Sequence, residues 1–120
     1  MAKILIVDDD ILITGLMQSL VGIGGHEAII VNNSTEAVEV ANAEKPDLIT
    51  LDLMMPHLSG YDICTLLRAD SQFDQTPIII ISAKEDTQSK DKAFTLGATE
   101  YITKPFDIDY FLKTIKRLTS

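Results

Sequence analysis

The chain has no tryptophan, one cysteine, two histidines and no run of lysine or arginine. A lone cysteine, Cys64, permits neither an intrachain disulfide nor a thiolate metal cluster. It falls in a helical pattern with Leu66 and Leu67, where a small core residue is the expected role. With 18 acidic against 10 basic residues the formal charge is -8, so the chain lacks the basic face that contacts to nucleic-acid phosphates require. Long apolar runs are missing as well. Only Ile4 to Val7 precede three consecutive aspartates, too short a stretch for a signal peptide, and nothing approaches a membrane span. These absences predict a cytoplasmic protein without membrane or direct nucleic-acid contacts. What is present, 120 residues with 46% hydrophobic content, suffices for one domain, expected over residues 1–120. A domain of this size buries roughly two thirds of the surface its unfolded chain exposes.

The stretch that organises the rest runs from Asp47 to Asp62. Leu48-Ile49-Thr50-Leu51 has the length and near-continuous apolar character of a strand covered on both faces, as in a parallel sheet. It ends in Asp52, a carboxylate that is costly to desolvate. Met54-Met55-Pro56 cannot continue the strand, because proline has no N–H for the ladder, and Ser59-Gly60 marks a turn into a helix. Asp52 is therefore expected at the C-terminal tip of a strand, which is where open parallel sheets bind ligands.

In order, Lys3 to Val7 reads as a strand, followed by a helix whose apolar face is Ile11, Leu12, Leu16, Leu20 and Ile23. Glu27 to Val31 is a second strand. Asn33 with Glu36 forms a capping-box variant opening a helix that must stop near Lys45, ahead of Pro46. After the strand ending at Asp52 comes a helix from about Gly60 to Asp70 and a polar loop, Ser71 to Thr76. Ile78-Ile79-Ile80-Ile81 is the most β-branched stretch, predicting a central strand that Ser82 ends. Ser89 to Leu96 reads as a short helix closed by Gly97, Glu100 to Thr103 as the last strand, and Lys104-Pro105 as a break. Asp107 caps a final helix with Ile108, Phe111, Leu112, Ile115 and Leu118 on one face. Five strands alternating with five helices predict an α/β fold: a doubly wound, three-layer sandwich with a five-stranded parallel sheet in the order 2-1-3-4-5.

Four strands then end, along one edge, in residues that can do chemistry: Asp8 and Asp9, Asp52, Ser82 and Lys104. Two carboxylates ~5 Å apart at an effective dielectric of ~20 repel by about 3 kcal/mol, so three pairs approach ~10 kcal/mol. That rivals the ~5–15 kcal/mol stability of a whole small domain. Such a cluster relaxes apart, protonates one member or binds a cation, and its oxygen-only ligands point to magnesium or another hard divalent ion such as manganese. One of the aspartates at 8–10 is expected to cap the first helix. A carboxylate beside a cation, a lysine and a hydroxyl suggests attack by Asp52 on phosphorus to give an aspartyl phosphate, with the cation and Lys104 balancing charge. No general base for fast hydrolysis is evident, and His26 and His57 read as loop residues.

At ILIVDDD, KPDLITLDLMMPHLSGYD, PIIIISAK and LGATEYITKPF, the chain resembles the receiver domain of two-component response regulators, over about Lys3 to Leu118. The resemblance implies the flavodoxin-like form of the fold and a signalling domain rather than an enzyme. It implies that Asp52 accepts a phosphoryl group from a phosphohistidine of a sensor histidine kinase or histidine phosphotransfer protein. It further implies that Asp8, Asp9 and Asp52, with the backbone carbonyl of Met54, hold Mg2+ or Mn2+, while Ser82 and Lys104 contact the phosphoryl group. Ser82 and Tyr101 would form the switch that alters the face of the last helix-strand-helix for a downstream protein or output domain, in a monomer or a phosphorylation-dependent dimer. Pro105 matches a cis proline of the family, and Met54 and Lys84 stand where phosphoryl lifetime is tuned. Two other readings are a phosphatase of the haloacid dehalogenase type, with Asp8-Asp9-Asp10 as its D-x-D, and a non-phosphorylated interaction module. Against the first, Leu12 replaces the usual Thr or Val; against the second, acceptor and lysine are both retained. A flavin-binding fold is disfavoured by the acidic first turn and the missing tryptophan.

Overall fold

The computed structural model describes residues 1–120. Its five strands are β1 (Lys3–Val7), β2 (Glu27–Val31), β3 (Leu48–Leu51), β4 (Ile78–Ser82) and β5 (Glu100–Thr103). The helices are α1 (Ile11–Ile23), α2 (Ala37–Glu44), α3 (Gly60–Arg68), α4 (Thr87–Thr95) and α5 (Ile108–Thr119). All strand pairs are parallel, in the order β2-β1-β3-β4-β5, which is the predicted topology. β4 is an interior strand between β3 and β5, as its β-branched run predicts. Both β3 and β4 are fully buried, which explains why their sequences run apolar without alternation.

Strand pleat divides the core in two. Leu5, Val7, Ile49, Leu51, Ile78 and Ile80 pack with residues of α2, α3 and α4, among them Ala41, Ile63 and Leu67. On the other face Ile4, Ile6, Leu48, Ile79 and Ile81 pack with Met17 and Val21 of α1 and with Phe111 and Ile115 of α5. Alternate residues of each strand thus serve opposite layers, as a period of two requires. Cys64 is buried in the first of these layers, in the small core role expected of it.

Local differences from the sequence reading have identifiable causes. In α1 the buried residues are Thr14, Met17, Leu20 and Val21, whereas Ile11, Leu12, Leu16 and Ile23 are exposed. Apolar residues lie on several sides of this helix, so periodicity does not single out a face; Asp10 fixes its start by capping the Leu12 and Ile13 amides. Asn33 caps a 3-10 turn, Ser34–Glu36, through the Thr35 amide, and α2 begins only after it. A 3-10 turn, Ser71–Phe73, occupies part of the polar loop and buries Phe73. The helix α4 starts two residues before Ser89, because Asp86 accepts from the Ser89 amide as N-cap. In α5, Asp107 caps as expected, Phe111 and Ile115 are buried, and Ile108 is left exposed at the first turn.

Candidate functional site

The sheet register brings the predicted residues together. Val7 pairs with Leu51, and the Asp52 amide donates to the Val7 carbonyl, so Asp8 and Asp52 leave neighbouring strands side by side. On the far side Ser82 pairs with Thr103, and the Lys104 amide donates to the Ser82 carbonyl. Residues from four strand tips thus converge without any long loop to carry them. A fixed start to α3 completes the frame. Ser59 and Asp62 form a reciprocal capping box, and a Cβ at Gly60 would collide with the Asp52 carbonyl, so only glycine lets the helix begin this close to the strand tip.

One oxygen from each of Asp8, Asp9 and Asp52 lies within 4.8 Å of the others. Asp8 and Asp52 are buried, and Asp9 is exposed. The Lys104 Nζ stands 2.7 Å from Asp8 Oδ2 and 3.5 Å from Asp52 Oδ1, which offsets part of the repulsion the sequence predicted. Asp8 Oδ1 also accepts from the Asp10 amide. Burial and the neighbouring charge of Asp8 push the Asp52 carboxyl up to about 6, although Lys104 and the Met54 amide pull the other way. For Lys104, burial works against the ammonium, but the Asp8 hydrogen bond and the charges of Asp52 and Asp8 outweigh it and hold the group above the ordinary lysine value. One ammonium therefore serves two buried carboxylates, with Asp9 beside them.

That donor set fits a hard divalent cation. It consists of oxygen alone, its carboxylates are already gathered, and the raised Asp52 carboxyl marks a buried charge that a further cation would relieve. Asp10 is not a member of the cluster; its carboxylate is spent on the α1 amides, which removes the second aspartate of the D-x-D alternative. Met54 lies in the loop after Asp52 with its side chain largely exposed.

Ser82 is fully buried, and its Oγ accepts from the Lys84 amide at 3.2 Å. The Tyr101 hydroxyl donates to the Lys84 carbonyl at 2.7 Å. Burial pushes that hydroxyl above the usual phenol value, while the adjacent Ser82 pulls it down. Lys84 thus links Ser82 to Tyr101 through its two backbone groups. The peptide bond before Pro105 is cis, as the family resemblance implied.

Two polar residues at the site were missed. Asn32 donates from Nδ2 to the Asp8 carbonyl and to Thr14 Oγ1, tying β2 to the start of α1. Ser34 is buried and bonds to the backbone of the loop after β3. Both lie where the sequence offered only a helix cap, and no signal separates such a residue from an ordinary turn. His26 is more than a loop residue: its Nδ1 accepts from the Ala2 amide.

A family model described as the response regulator receiver domain matches residues 4–116. The chain is 34% identical over 118 residues to the DNA-binding dual master transcriptional regulator RpaA of Synechocystis, covering 98% of this chain and 49% of that protein. It thus spans about half the length of that relative. With protein PilH of Pseudomonas aeruginosa it shares 35% identity over 96% of this chain and 95% of the relative. The structure superposes on the chemotaxis protein CheY4 of Vibrio cholerae with a TM-score of 0.92, at 31% identity and 98% coverage of both chains.

Proposed function

The chain belongs to the response regulator receiver domain family, a signalling family, and from that premise we propose that Asp52 is its phosphoacceptor. The observation that carries this reading is Lys104, whose ammonium spans Asp8 and Asp52 at the mouth of the sheet. In the transfer, a carboxylate oxygen of Asp52 attacks the phosphorus of a phosphohistidine. The P–O bond to aspartate forms as the P–N bond breaks, and the departing imidazole nitrogen takes up a proton. No redox change is involved. The Lys104 ammonium is released from carboxylates to pair with phosphoryl oxygens, and the Ser82 hydroxyl donates to one of them.

The carboxylates of Asp8, Asp9 and Asp52 and the backbone carbonyl of Met54 would hold Mg2+, or Mn2+ in its place. When bound, the ion neutralises charge on the phosphoryl oxygens. Drawing Ser82 toward the phosphoryl group breaks its bond from the Lys84 amide and so disturbs the backbone that holds the Tyr101 hydroxyl. That is the route from Asp52 to the surface of α4, β5 and α5. The donor is a sensor histidine kinase or a histidine phosphotransfer protein, and the responder is a downstream protein or an output domain. Residues 1–120 act as one receiver domain, cytoplasmic, without direct nucleic-acid or membrane contact, as a monomer or a phosphorylation-dependent dimer. The domain supports its own phosphorylation and dephosphorylation and turns over no separate substrate.

Phosphoramidate, which carries the same P–N bond as phosphohistidine, tests the reading. In 31P spectra the native chain should develop an acyl-phosphate signal in Mg2+ and none when chelator is present from the start. A signal that persists in Asp52→Asn would refute the assignment.

A further inference from the structure

The loop from Leu53 to Ser59 carries the Met54 carbonyl, and it has two backbone anchors. At its base the Gly60 amide donates to the Leu53 carbonyl at 3.1 Å. At its tip the anchor comes from a different element, the 3-10 turn after β2. Ser34 Oγ donates to the Pro56 carbonyl at 2.6 Å and accepts from the Leu58 amide at 3.0 Å. Between those two contacts sits His57 with φ of 72, one of two non-glycine residues in the left-handed region. A side chain there opposes the backbone geometry, so the turn holds its shape only if both sides are fixed. Ser34 fixes both with one hydroxyl. It is 2% exposed, so water does not readily replace it. The same turn forms a cleft of about 150 Å³ that Ser34, Pro56 and His57 share with Asp9.

We propose that Ser34 is a positioning residue for the cation site, holding the loop after β3 from which the Met54 carbonyl would join Asp8, Asp9 and Asp52 as a ligand. The inference rests on the phosphoacceptor reading above, because it takes the site to be one for Mg2+. Its logic is that of an outer-shell contact: a ligand on an irregular loop is only as well placed as the hydrogen bonds behind it, and losing such a partner costs roughly 10–100-fold in metal affinity. A buried serine in a first turn also has a purely architectural use, and the two roles differ in what its removal changes.

The test is a Mg2+ titration of the full chain, followed in 15N spectra, for native protein, Ser34→Ala, Ser34→Cys and Ile115→Val. Cysteine keeps nearly the same volume but hydrogen-bonds weakly, so it separates the bonds from the space. Ile115 lies in the layer between the sheet and α5, and its substitution supplies a stability loss without touching the loop. Both Ser34 variants should bind Mg2+ about ten-fold or more weakly, with the Leu58 amide shifted upfield and exchanging faster, and Ile115→Val should bind as the native chain does. Native affinity in folded Ser34→Ala or Ser34→Cys would overturn the inference and leave the phosphoacceptor reading standing. If Mg2+ moved no signal from Asp8, Asp9 or Asp52 in the native chain, the cation site itself would fall, and the inference with it.

Discussion

At the scale of single residues, Asp52 is caught between two demands. As the proposed phosphoacceptor it must be ionised to attack, yet burial and Asp8 raise its carboxyl to about 6. At neutral pH it is still mostly charged, and the folded state carries the penalty. Since the folded value lies above the ordinary 3.8, the folded chain holds this proton more tightly than the unfolded one. The contribution of Asp52 to stability is therefore greatest below about pH 4, falls as pH rises toward about 6, and stays lower above that. In chelator, Asp52→Asn should be more stable than native protein at pH 7 by up to about 3 kcal/mol, the difference fading near pH 4. Urea melts at the two pH values would measure it, and an advantage independent of pH would contradict the assigned cause. Asp8, Asp9, Asp52, Ser82 and Lys104 were legible as a group from sequence because each stands at the end of a segment that reads as a strand, and parallel strands put such positions on one edge. The double bond of Ser34 was not legible: it depends on how two loops approach, which no local pattern records.

At the scale of elements, the strands were readable almost to the residue, while α1 was read with the wrong face inward. Strands in this sheet are buried on both sides, so any apolar run of the right length suffices. A helix buries one side, and α1 offers apolar residues on several. Its packing therefore predicts unequal effects from two large apolar side chains. Met17→Ala should destabilise the chain by about 2–5 kcal/mol, and Leu12→Ser by less than about 0.5 kcal/mol. Paired thermal melts decide this, and equal losses would mean that the helix sits in another rotation. The short helices depend more on their caps. Asp62 and Asp86 are held below the usual carboxylate value chiefly by the backbone amides of Ser59 and Ser89. Their contribution is present above the ordinary carboxylate value and is lost as pH falls through the lowered one, opposite in sign to that of Asp52. The capping box of α3 went unread because Asp replaces the more usual Glu or Gln at its third position.

At the scale of the whole molecule, the sheet is buried between two core layers, and the candidate site lies at its C-terminal edge. Tyr61 and Tyr101 hold the segment around α4 by hydroxyl bonds to the carbonyls of Ser89 and Lys84. Few long-range backbone bonds reinforce it. Under the proposed function, phosphorylation would shift the balance between two arrangements of this segment, of which partners would select one. Ser82→Ala should still accept a phosphoryl group but leave the Tyr101 ring signals near their unphosphorylated positions. A full native shift in that variant would show that the coupling bypasses Ser82. Whether Asp52 takes the phosphoryl group is asked most directly by intact mass after incubation with Mg2+ and acetyl phosphate. The predicted result is a gain of one phosphoryl group in the native chain, abolished by chelator and reversed in base, with none in Asp52→Asn. Equal gain in both chains, or none in the native chain with either acetyl phosphate or phosphoramidate, would contradict it.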